Sequence, residues 1–172
     1  PVLVDVEPNT GLIDPNLVEA AITPKTKGII PVHLYGQLCD MRAIREIADR
    51  RGLFVLEDSA HGIEMERDGI RPGELGDAVT FSFYATKNLT SGDGGAVAVN
   101  TARRPELADR LRRLRNHGVS KAAADRHGGI YQHWDMVELG YKANLTDLDA
   151  ALLRPQLPLA DKKRDQRQRL VE

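Results

Sequence analysis

Three polar residues that could act together lie at or just after the ends of predicted strands. They are Asp58, Ser82 and Lys87. Asp58 follows a nearly apolar stretch, and Ser82 lies in an alternating run of apolar and small residues that leads to Lys87. Ligands of open α/β sheets bind beyond the carboxyl ends of the strands, so a carboxylate, a hydroxyl and an amine would converge there. This combination matches the needs of pyridoxal phosphate (PLP). An amine can hold the aldehyde as an imine, a carboxylate can keep the pyridine nitrogen protonated, and a hydroxyl can bind a phosphate oxygen.

Other chemistries stay open on the residues alone. Lys87 taken by itself is typical of a solvated surface lysine. A dinucleotide site is disfavoured, because no G-x-G-x-x-G follows a predicted strand and the glycines of residues 92–95 lead into a strand rather than a helix. A metal site is also disfavoured, and we expect no metal cofactor. The candidate ligands, of which no pair has a recognised spacing, are His33, Glu57, Asp58 and His61.

The elements that would position these groups alternate in type. A helix is predicted over residues 16–22, with Asp14 as its N-cap, and a second helix follows Asp40. The predicted strands cover residues 1–6, 28–32 and 53–56. Strands that alternate with helices are typical of an α/β fold with a mainly parallel sheet flanked by helices.

The segment that carries Lys87 departs from this alternation. Strands are predicted at the two ends of residues 78–99, separated by about ten residues rich in Thr, Ser, Asn, Asp and Gly. A parallel pair would require a longer crossover connection. The sequence therefore predicts an antiparallel hairpin with Lys87 in its connecting loop.

Beyond the hairpin, the sequence predicts helices separated by a loop. Pro105 begins a helix with an arginine-rich outer face, and Thr146 caps another. Residues 120–135 are polar and aperiodic, which predicts a loop. Residues 161–172 are expected to form an exposed charged helix after the prolines that interrupt the preceding one. The residues expected to face the core are Leu107, Leu111, Leu114, Leu148, Ala151 and Leu152.

Composition narrows the class of protein. The chain has 172 residues, enough for a domain with a hydrophobic core, and its net charge of -1 argues against general nucleic-acid binding. No apolar run reaches the roughly 18 residues of a membrane span, and no signal peptide opens the chain. The single cysteine, Cys39, suits a reducing compartment. We therefore expect a cytoplasmic protein with no membrane or nucleic-acid partner.

Short blocks of sequence occur in a characteristic order. They are Ile-Pro-Val-His-Leu-Tyr-Gly-Gln (30–37), Glu-Asp-Ser-Ala-His (57–61), Phe-Ser-Phe-Tyr-Ala-Thr-Lys-Asn-Leu (81–89), Gly-Asp-Gly-Gly (92–95), Leu-Arg-Asn-His-Gly (114–118) and Gly-Tyr-Lys-Ala-Asn-Leu-Thr-Asp (140–147). With these blocks in this order, the chain resembles the DegT/StrS nucleotide-sugar aminotransferases, which are fold-type-I PLP enzymes. The resemblance extends from residue 1 to about residue 157.

The resemblance implies a role for individual residues. Lys87 resembles the lysine that forms the Schiff base and moves the proton, and Asp58 resembles the partner of the pyridine nitrogen. His61 stands where the family has Gln or His beside the ring and its 3-hydroxyl, and Ser82 resembles the hydroxyl that binds the cofactor phosphate. Asn144 resembles the asparagine that reaches the phosphate of the neighbouring subunit, which implies a homodimer with shared active sites.

Other residues of these blocks keep alternative roles. His33 and Tyr35 lie on a loop near the family's active site, and packing is an equally good explanation for both. His117 is interpreted as a helix-end residue. Asn144 could also serve only as a residue at the entry to the helix capped by Thr146.

The resemblance also implies a domain arrangement. Residues 1–157 would be the central part of the PLP-binding large domain. Residues 158–172 would form a charged helical segment leading toward a C-terminal small domain that this chain lacks. Because part of the phosphate site would lie upstream, the isolated chain is expected to be inactive.

The activity that follows from the resemblance is transfer of an amino group, with glutamate as the expected donor, onto a keto-sugar attached to a nucleotide. One alternative is a PLP-dependent sugar dehydratase of the same fold, although the family's deoxygenating members carry histidine in place of the lysine. A second is an incomplete or non-catalytic chain with a binding or regulatory role. The residues do not identify the sugar, the nucleotide or the carbon that is aminated.

Overall fold

The computed structural model describes residues 1–120 and 133–170. Within these ranges, a four-stranded sheet has the order β1-β2-β3-β4, with β1 to β3 parallel and β4 antiparallel to β3. The strands are β1 (Gly28–Ile29), β2 (Phe54–Asp58), β3 (Ala78–Ser82) and β4 (Gly95–Val99). The predicted α/β fold, with a mainly parallel sheet and an antiparallel hairpin that carries Lys87, is confirmed.

The helices begin close to where their capping residues predict. They are α1 (Pro15–Ala21), α2 (Met41–Arg51), α3 (Leu107–Leu114), α4 (Asp147–Leu153) and α5 (Ala160–Gln168). The Asp14, Asp40 and Thr146 side chains accept hydrogen bonds from the first-turn amides of α1, α2 and α4. Gly52 ends α2 in the left-handed conformation that a glycine adopts at low cost.

The main core lies between α1, α2 and the first two strands. Ile44 and Ala48 of α2 are fully buried against Val55 of β2, and Leu12 and Val18 complete the cluster from the α1 side. A smaller apolar cluster lies under the Lys87 loop and contains Phe83, Leu89 and Leu153. The loop that carries Lys87 therefore packs against this apolar cluster and does not extend into solvent.

A buried ion-pair cluster joins α2 to the sheet. The Asp77 carboxylate accepts hydrogen bonds from the Val55 amide at 2.7 Å, Arg104 Nε at 2.7 Å and Arg45 Nη1 at 3.0 Å. Burial raises the pKa of the Asp77 carboxyl, but the hydrogen bonds from Val55, Arg104 and Arg45 outweigh it, so this pKa lies below its ordinary value.

The predicted strand over residues 1–6 is wrong. In this region Val6 forms only an isolated bridge with Ile13, and no ladder forms. Val2 and Leu3 are 68% and 93% exposed. A strand requires a partner for its amides and carbonyls, and an alternating apolar pattern cannot supply one.

The predicted core face of α4 is also wrong. Leu148 and Leu152, which share a face at i and i+4, are 81% and 55% exposed, whereas Leu153 is 6% exposed. Leu153 is turned about 100° around the helix axis from Leu152, and the side of the helix that carries Leu153 packs onto Leu89 and Phe83. Ala151 is exposed as well. Of the other residues expected to face the core, Leu107, Leu111 and Leu114 in α3 are partly buried.

The charged helix predicted near the end of the chain is present as α5 over Ala160–Gln168. It is tied to the rest of the chain, because Asp161 pairs with Arg71 and Arg167 pairs with the buried Glu64. Most of the predicted loop, residues 121–132, lies outside the described residues, as do residues 171–172. No helix in the described part of the chain is long and apolar enough to cross a membrane.

Candidate active site

Asp58 is the last residue of β2, at the carboxyl edge of the sheet. Its amide donates to the Pro31 carbonyl and its carbonyl accepts from the His33 amide, both at 2.9 Å. One carboxylate oxygen accepts from the Ala60 amide at 3.0 Å, and the other has no hydrogen-bond partner among the described residues. The side chain is partly buried, so a carboxylate with an open oxygen is held at the edge of the sheet.

Ser82 lies at the end of β3 on the same side of the sheet as Asp58. The parallel register pairs Asp58 with Thr80, and residues paired in this way point to the same face. Side chains alternate along a strand, so Ser82, two residues beyond Thr80, points to this face too. The Ser82 hydroxyl oxygen accepts a hydrogen bond from the Tyr84 amide at 3.3 Å, which leaves its proton available to donate.

Lys87 lies in the loop between β3 and β4. The Lys87 amide donates to the Tyr84 carbonyl at 2.9 Å, and the Ser91 amide donates to the Phe83 carbonyl at 3.0 Å, so the loop folds back on itself. The Lys87 side chain is partly buried. Its ammonium group has no hydrogen bond or ion pair with any described residue, so the amine is available to a ligand.

The far end of this loop requires a glycine. Gly94 has φ 114°, a conformation that side-chain-bearing residues rarely adopt, and a Cβ there would lie 2.6 Å from Leu145 Cδ1. Gly94 also accepts a hydrogen bond from the Phe83 amide at 2.9 Å through its carbonyl. The close approach of Leu145 therefore sets the shape of the loop at the start of β4.

Lys87 and Ser82 line one small cavity together with Ala60, Gly62 and Phe83. The structure thus brings the predicted amine and hydroxyl together. It places Asp58 and His61 beside two lining residues, Ala60 and Gly62, although Asp58 and His61 do not themselves line this cavity.

His61 is oriented by a residue with unusual backbone geometry. The Tyr35 amide donates to His61 Nδ1 at 3.1 Å, and the two rings stack with their centroids 5.5 Å apart. Because Nδ1 accepts this bond, the ring proton of neutral His61 lies on Nε2, which can donate. Tyr35 has φ 54° and ψ 33°, a left-handed conformation that costs a non-glycine residue about 1–2 kcal/mol. Strain of this kind is often concentrated at functional sites.

His33 and Glu57 form a structural pair rather than part of the site. Both side chains are fully buried, and His33 Nε2 lies 2.8 Å from Glu57 Oε2. Glu57 also accepts from the Gly76 and Gly73 amides at 2.7 and 3.1 Å. Glu57 precedes Asp58 on the strand and therefore points to the opposite face. Of the two roles left open for His33, the structure shows packing.

Asn144 does not line the Lys87 cavity of its own chain. The side chain is exposed, and its amide is oriented so that the nitrogen donates to the Arg115 carbonyl and the oxygen accepts from Lys142 Nζ, each at 3.1 Å. No contact among the described residues joins Asn144 to Lys87 or Ser82. His117, with φ 61°, lies three residues beyond the end of α3, and its amide donates to the Tyr141 carbonyl at 2.9 Å.

Two residues that hydrogen-bond the Lys87 loop were not singled out by the sequence. Glu64 is 4% exposed and accepts a hydrogen bond from Asn88, the residue after Lys87. Gln156 hydrogen-bonds the backbone of Thr90 in the same loop, through both atoms of its amide. Glu64 is 24 residues from Asn88, and Gln156 is 66 residues from Thr90, so no local sequence pattern could have revealed these contacts.

The side chains of the site fit PLP. The set consists of a lysine amine with no other described partner, a carboxylate with an open oxygen, a hydroxyl able to donate and an imidazole whose Nε2 carries its proton. The first three lie at the carboxyl edge of the sheet, where ligands of α/β folds bind.

Comparison with known proteins agrees with this geometry. The model of the DegT/DnrJ/EryC1/StrS aminotransferase family matches residues 1–172, and the chain belongs to this family.

Relatives and solved structures extend the agreement. The chain is 47% identical over 172 residues to the spore coat polysaccharide biosynthesis protein SpsC of Bacillus subtilis (strain 168), covering 99% of this chain and 43% of SpsC. The PMP-form of the putative sugar aminotransferase Spr1654 from Streptococcus pneumoniae matches with 31% identity and a TM-score of 0.86, over 99% of this chain and 47% of that one. The structure of DesI in the presence of its TDP-sugar product matches with 35% identity and a TM-score of 0.76. The match covers 94% of this chain and 38% of DesI. This chain therefore spans less than half the length of these proteins.

Proposed function

We propose that this chain supplies the lysine and most of the ring-binding groups of a PLP-dependent aminotransferase that acts on a nucleotide-linked keto-sugar, with glutamate as the amino donor. The observation that carries the proposal is the position of Lys87. The residue is partly buried at the carboxyl edge of the sheet and shares a cavity with Ser82, and its amine has no partner among the described residues. Membership of the aminotransferase family supports the reaction class.

Each side chain has a separate task in this proposal. Bound PLP supplies an aldehyde that accepts the amino group and a ring that takes up electrons. Lys87 would hold the aldehyde of the cofactor, and its free amine would serve as the base that moves the substrate proton. The Asp58 carboxylate would pair with the ring nitrogen and hold its proton. Ser82 would donate to a phosphate oxygen, and His61 would donate from Nε2 to the ring hydroxyl.

The choice of a nucleotide sugar is supported by the relatives. SpsC is named for polysaccharide biosynthesis, and the DesI structure was determined with a TDP-sugar product. The competing reaction, dehydration of the sugar, is disfavoured because this chain keeps a lysine at position 87. We place the protein in the cytoplasm, with residues 1–157 in the PLP-binding domain and residues 158–172 leading toward a small domain.

We further propose a homodimer, supported by an exposed apolar surface next to Asn144. Leu139 and Tyr141 are 90% and 71% exposed, and Leu148 and Leu152 of α4 are exposed nearby in sequence. Large apolar side chains that are exposed in one chain are often covered by a partner in the assembled protein. A second copy packed there would bring Asn144 to the phosphate of the partner's cofactor.

The proposed function is tested with the protein expressed from its complete reading frame. Addition of PLP is expected to give a visible absorption band, and glutamate is expected to remove the band while 2-oxoglutarate forms. A nucleotide-linked keto-sugar is then expected to restore the band as an amino sugar appears. A protein that stays colourless with excess PLP would contradict the proposal. Release of a deoxygenated sugar without consumption of glutamate would favour the dehydratase instead.

A further inference from the structure

Two hydrogen-bonded attachments hold the Lys87 loop just after the lysine and link it, directly or through Glu64, to the C-terminal helices. One attachment is at Asn88, directly after Lys87, and the other is at Thr90. The first leads to Glu64, which pairs with Arg167 of α5, and the second leads to Gln156, between α4 and α5. Neither contact includes a group assigned above to the cofactor.

Gln156, between α4 and α5, forms a paired hydrogen bond with the Thr90 backbone. Its Nε2 donates to the Thr90 carbonyl at 2.8 Å, and its Oε1 accepts from the Thr90 amide at 3.2 Å. The same Nε2 donates to the Leu152 carbonyl at 2.7 Å, which fixes the amide to the end of α4. Gln156 therefore replaces, for one residue of the loop, the pairing that a neighbouring strand would give.

Glu64 forms the other attachment, and its side chain is almost completely buried. Its Oε1 accepts from Asn88 Nδ2 at 2.7 Å and from Arg167 Nη2 of α5, and its Oε2 accepts from the Ile63 amide at 3.0 Å. Arg164 of α5 donates to the Glu64 carbonyl at 3.2 Å. A carboxylate that is 4% exposed requires such partners, because an unpaired charge would be costly at this depth.

The apolar contact between these attachments holds the loop against α4. Leu89 and Leu153 are 3% and 6% exposed and pack with Phe83. Residues 88, 89 and 90 are thus each held, by Glu64, Leu153 and Gln156 respectively. Lys87 is the next residue toward the N-terminus and the first whose side chain is not held.

We infer that Gln156 and Glu64 are positioning residues for Lys87. Gln156 holds the Thr90 backbone and Glu64 holds the Asn88 side chain, so that the lysine amine stays at the cavity it shares with Ser82. This position then depends on the packing of α4 and α5. The inference rests on the proposed function, because it assumes that the amine of Lys87 is the group that binds PLP.

The first test compares Gln156→Leu with Gln166→Leu, which changes an exposed glutamine of α5. Both variants are made in the protein expressed from its complete reading frame. Amide hydrogen exchange is measured without PLP, and the rate at which borohydride traps PLP on Lys87 is measured with PLP. Gln156→Leu is expected to speed exchange at the Thr90 amide roughly fivefold, since it removes the acceptor of that amide's hydrogen bond. It is also expected to slow trapping severalfold, because a small displacement of the Lys87 amine lowers its rate of reaction with PLP. Gln166→Leu is expected to leave both values unchanged.

A second pair keeps the inference testable if Gln156→Leu does not fold. Arg167→Gln leaves Glu64 buried without its cationic partner, whereas Arg169→Gln changes an exposed arginine two residues away. Arg167→Gln is expected to slow trapping at Lys87 and to shift the absorption maximum of bound PLP, and Arg169→Gln is expected to change neither.

The outcomes separate the inference from the proposed function. Faster loop exchange combined with trapping at the wild-type rate would show a purely structural role and overturn the inference. Wild-type exchange at Thr90 in Gln156→Leu would overturn it as well. A wild-type protein in which no PLP is trapped at Lys87 would contradict the proposed function, and with it the inference, whatever the exchange data show.

Discussion

Asp58 and Ser82 lie on the same face of the sheet, at the carboxyl ends of two adjacent parallel strands. The pairing of Asp58 with Thr80 sets this relationship, since Ser82 follows Thr80 by two residues. A shift of one residue in the register would turn Asp58 away and present Glu57 in its place. The proposed site therefore depends on a register that is fixed by buried neighbours on the other face.

Replacement of Asp58 by asparagine is expected to remove activity without unfolding the protein. The side chain keeps its shape and its contact with the Ala60 amide, but a neutral group cannot hold the proton on the ring nitrogen. We expect turnover to fall by about a hundredfold or more, with some PLP still bound. Steady-state kinetics and cofactor absorbance measure the two effects. Near-normal turnover would remove Asp58 from the site.

Replacement of the adjacent carboxylate has the opposite expected result. Glu57→Gln puts an amide where one carboxylate accepts from His33, Gly73 and Gly76, so at least one buried donor loses its partner. We expect the free energy of unfolding to fall by about 2 kcal/mol or more. Urea denaturation measures it, and Glu46→Gln, at a residue whose side chain is 74% exposed, is the control. Equal stability of the two variants would contradict the structural role.

The acid stability of the protein should depend on Asp77. Its pKa in the folded protein is lowered from 3.8, so its ionised form contributes stability that is fully present above the unfolded-state pKa. This contribution is lost as the pH falls through the folded-state pKa. We expect Asp77→Asn to lower the free energy of unfolding at neutral pH by about 3 kcal/mol and to reduce its loss in acid.

Urea denaturation at a series of pH values measures both effects of Asp77→Asn. Asp49→Asn is the control, because Asp49 also pairs with Arg45 but its side chain is 52% exposed. A surface pair of this kind contributes about 0–1 kcal/mol. An acid dependence that persists unchanged in Asp77→Asn would contradict the assignment.

The sequence predicts those features that local signals determine. Asp14, Asp40 and Thr146 mark helix starts because a cap acts within its own first turn. The short connection between residues 78 and 99 determines the direction of the β3–β4 pair, and it therefore predicted the loop that carries Lys87.

Features that depend on distant partners could not be predicted in this way. The apolar pattern of residues 1–6 does not reveal whether a partner strand is present, and that of α4 does not reveal which side packs on Leu89. The pairing of His33 with Glu57 joins residues 24 positions apart. Gln156 and Thr90 are 66 positions apart. Such contacts arise from the fold, and the residue types alone do not specify them.

The most direct test of the central claim is to find which lysine binds the cofactor. The protein from the complete reading frame is incubated with PLP, reduced with borohydride, digested and examined by mass spectrometry, alongside Lys87→Ala and the exposed-lysine control Lys25→Ala. We predict a phosphopyridoxyl group on Lys87 in the wild type and in Lys25→Ala, and none in Lys87→Ala, which should still fold. An adduct on another lysine in the wild type, or one that persists in Lys87→Ala, would contradict the assignment of Lys87.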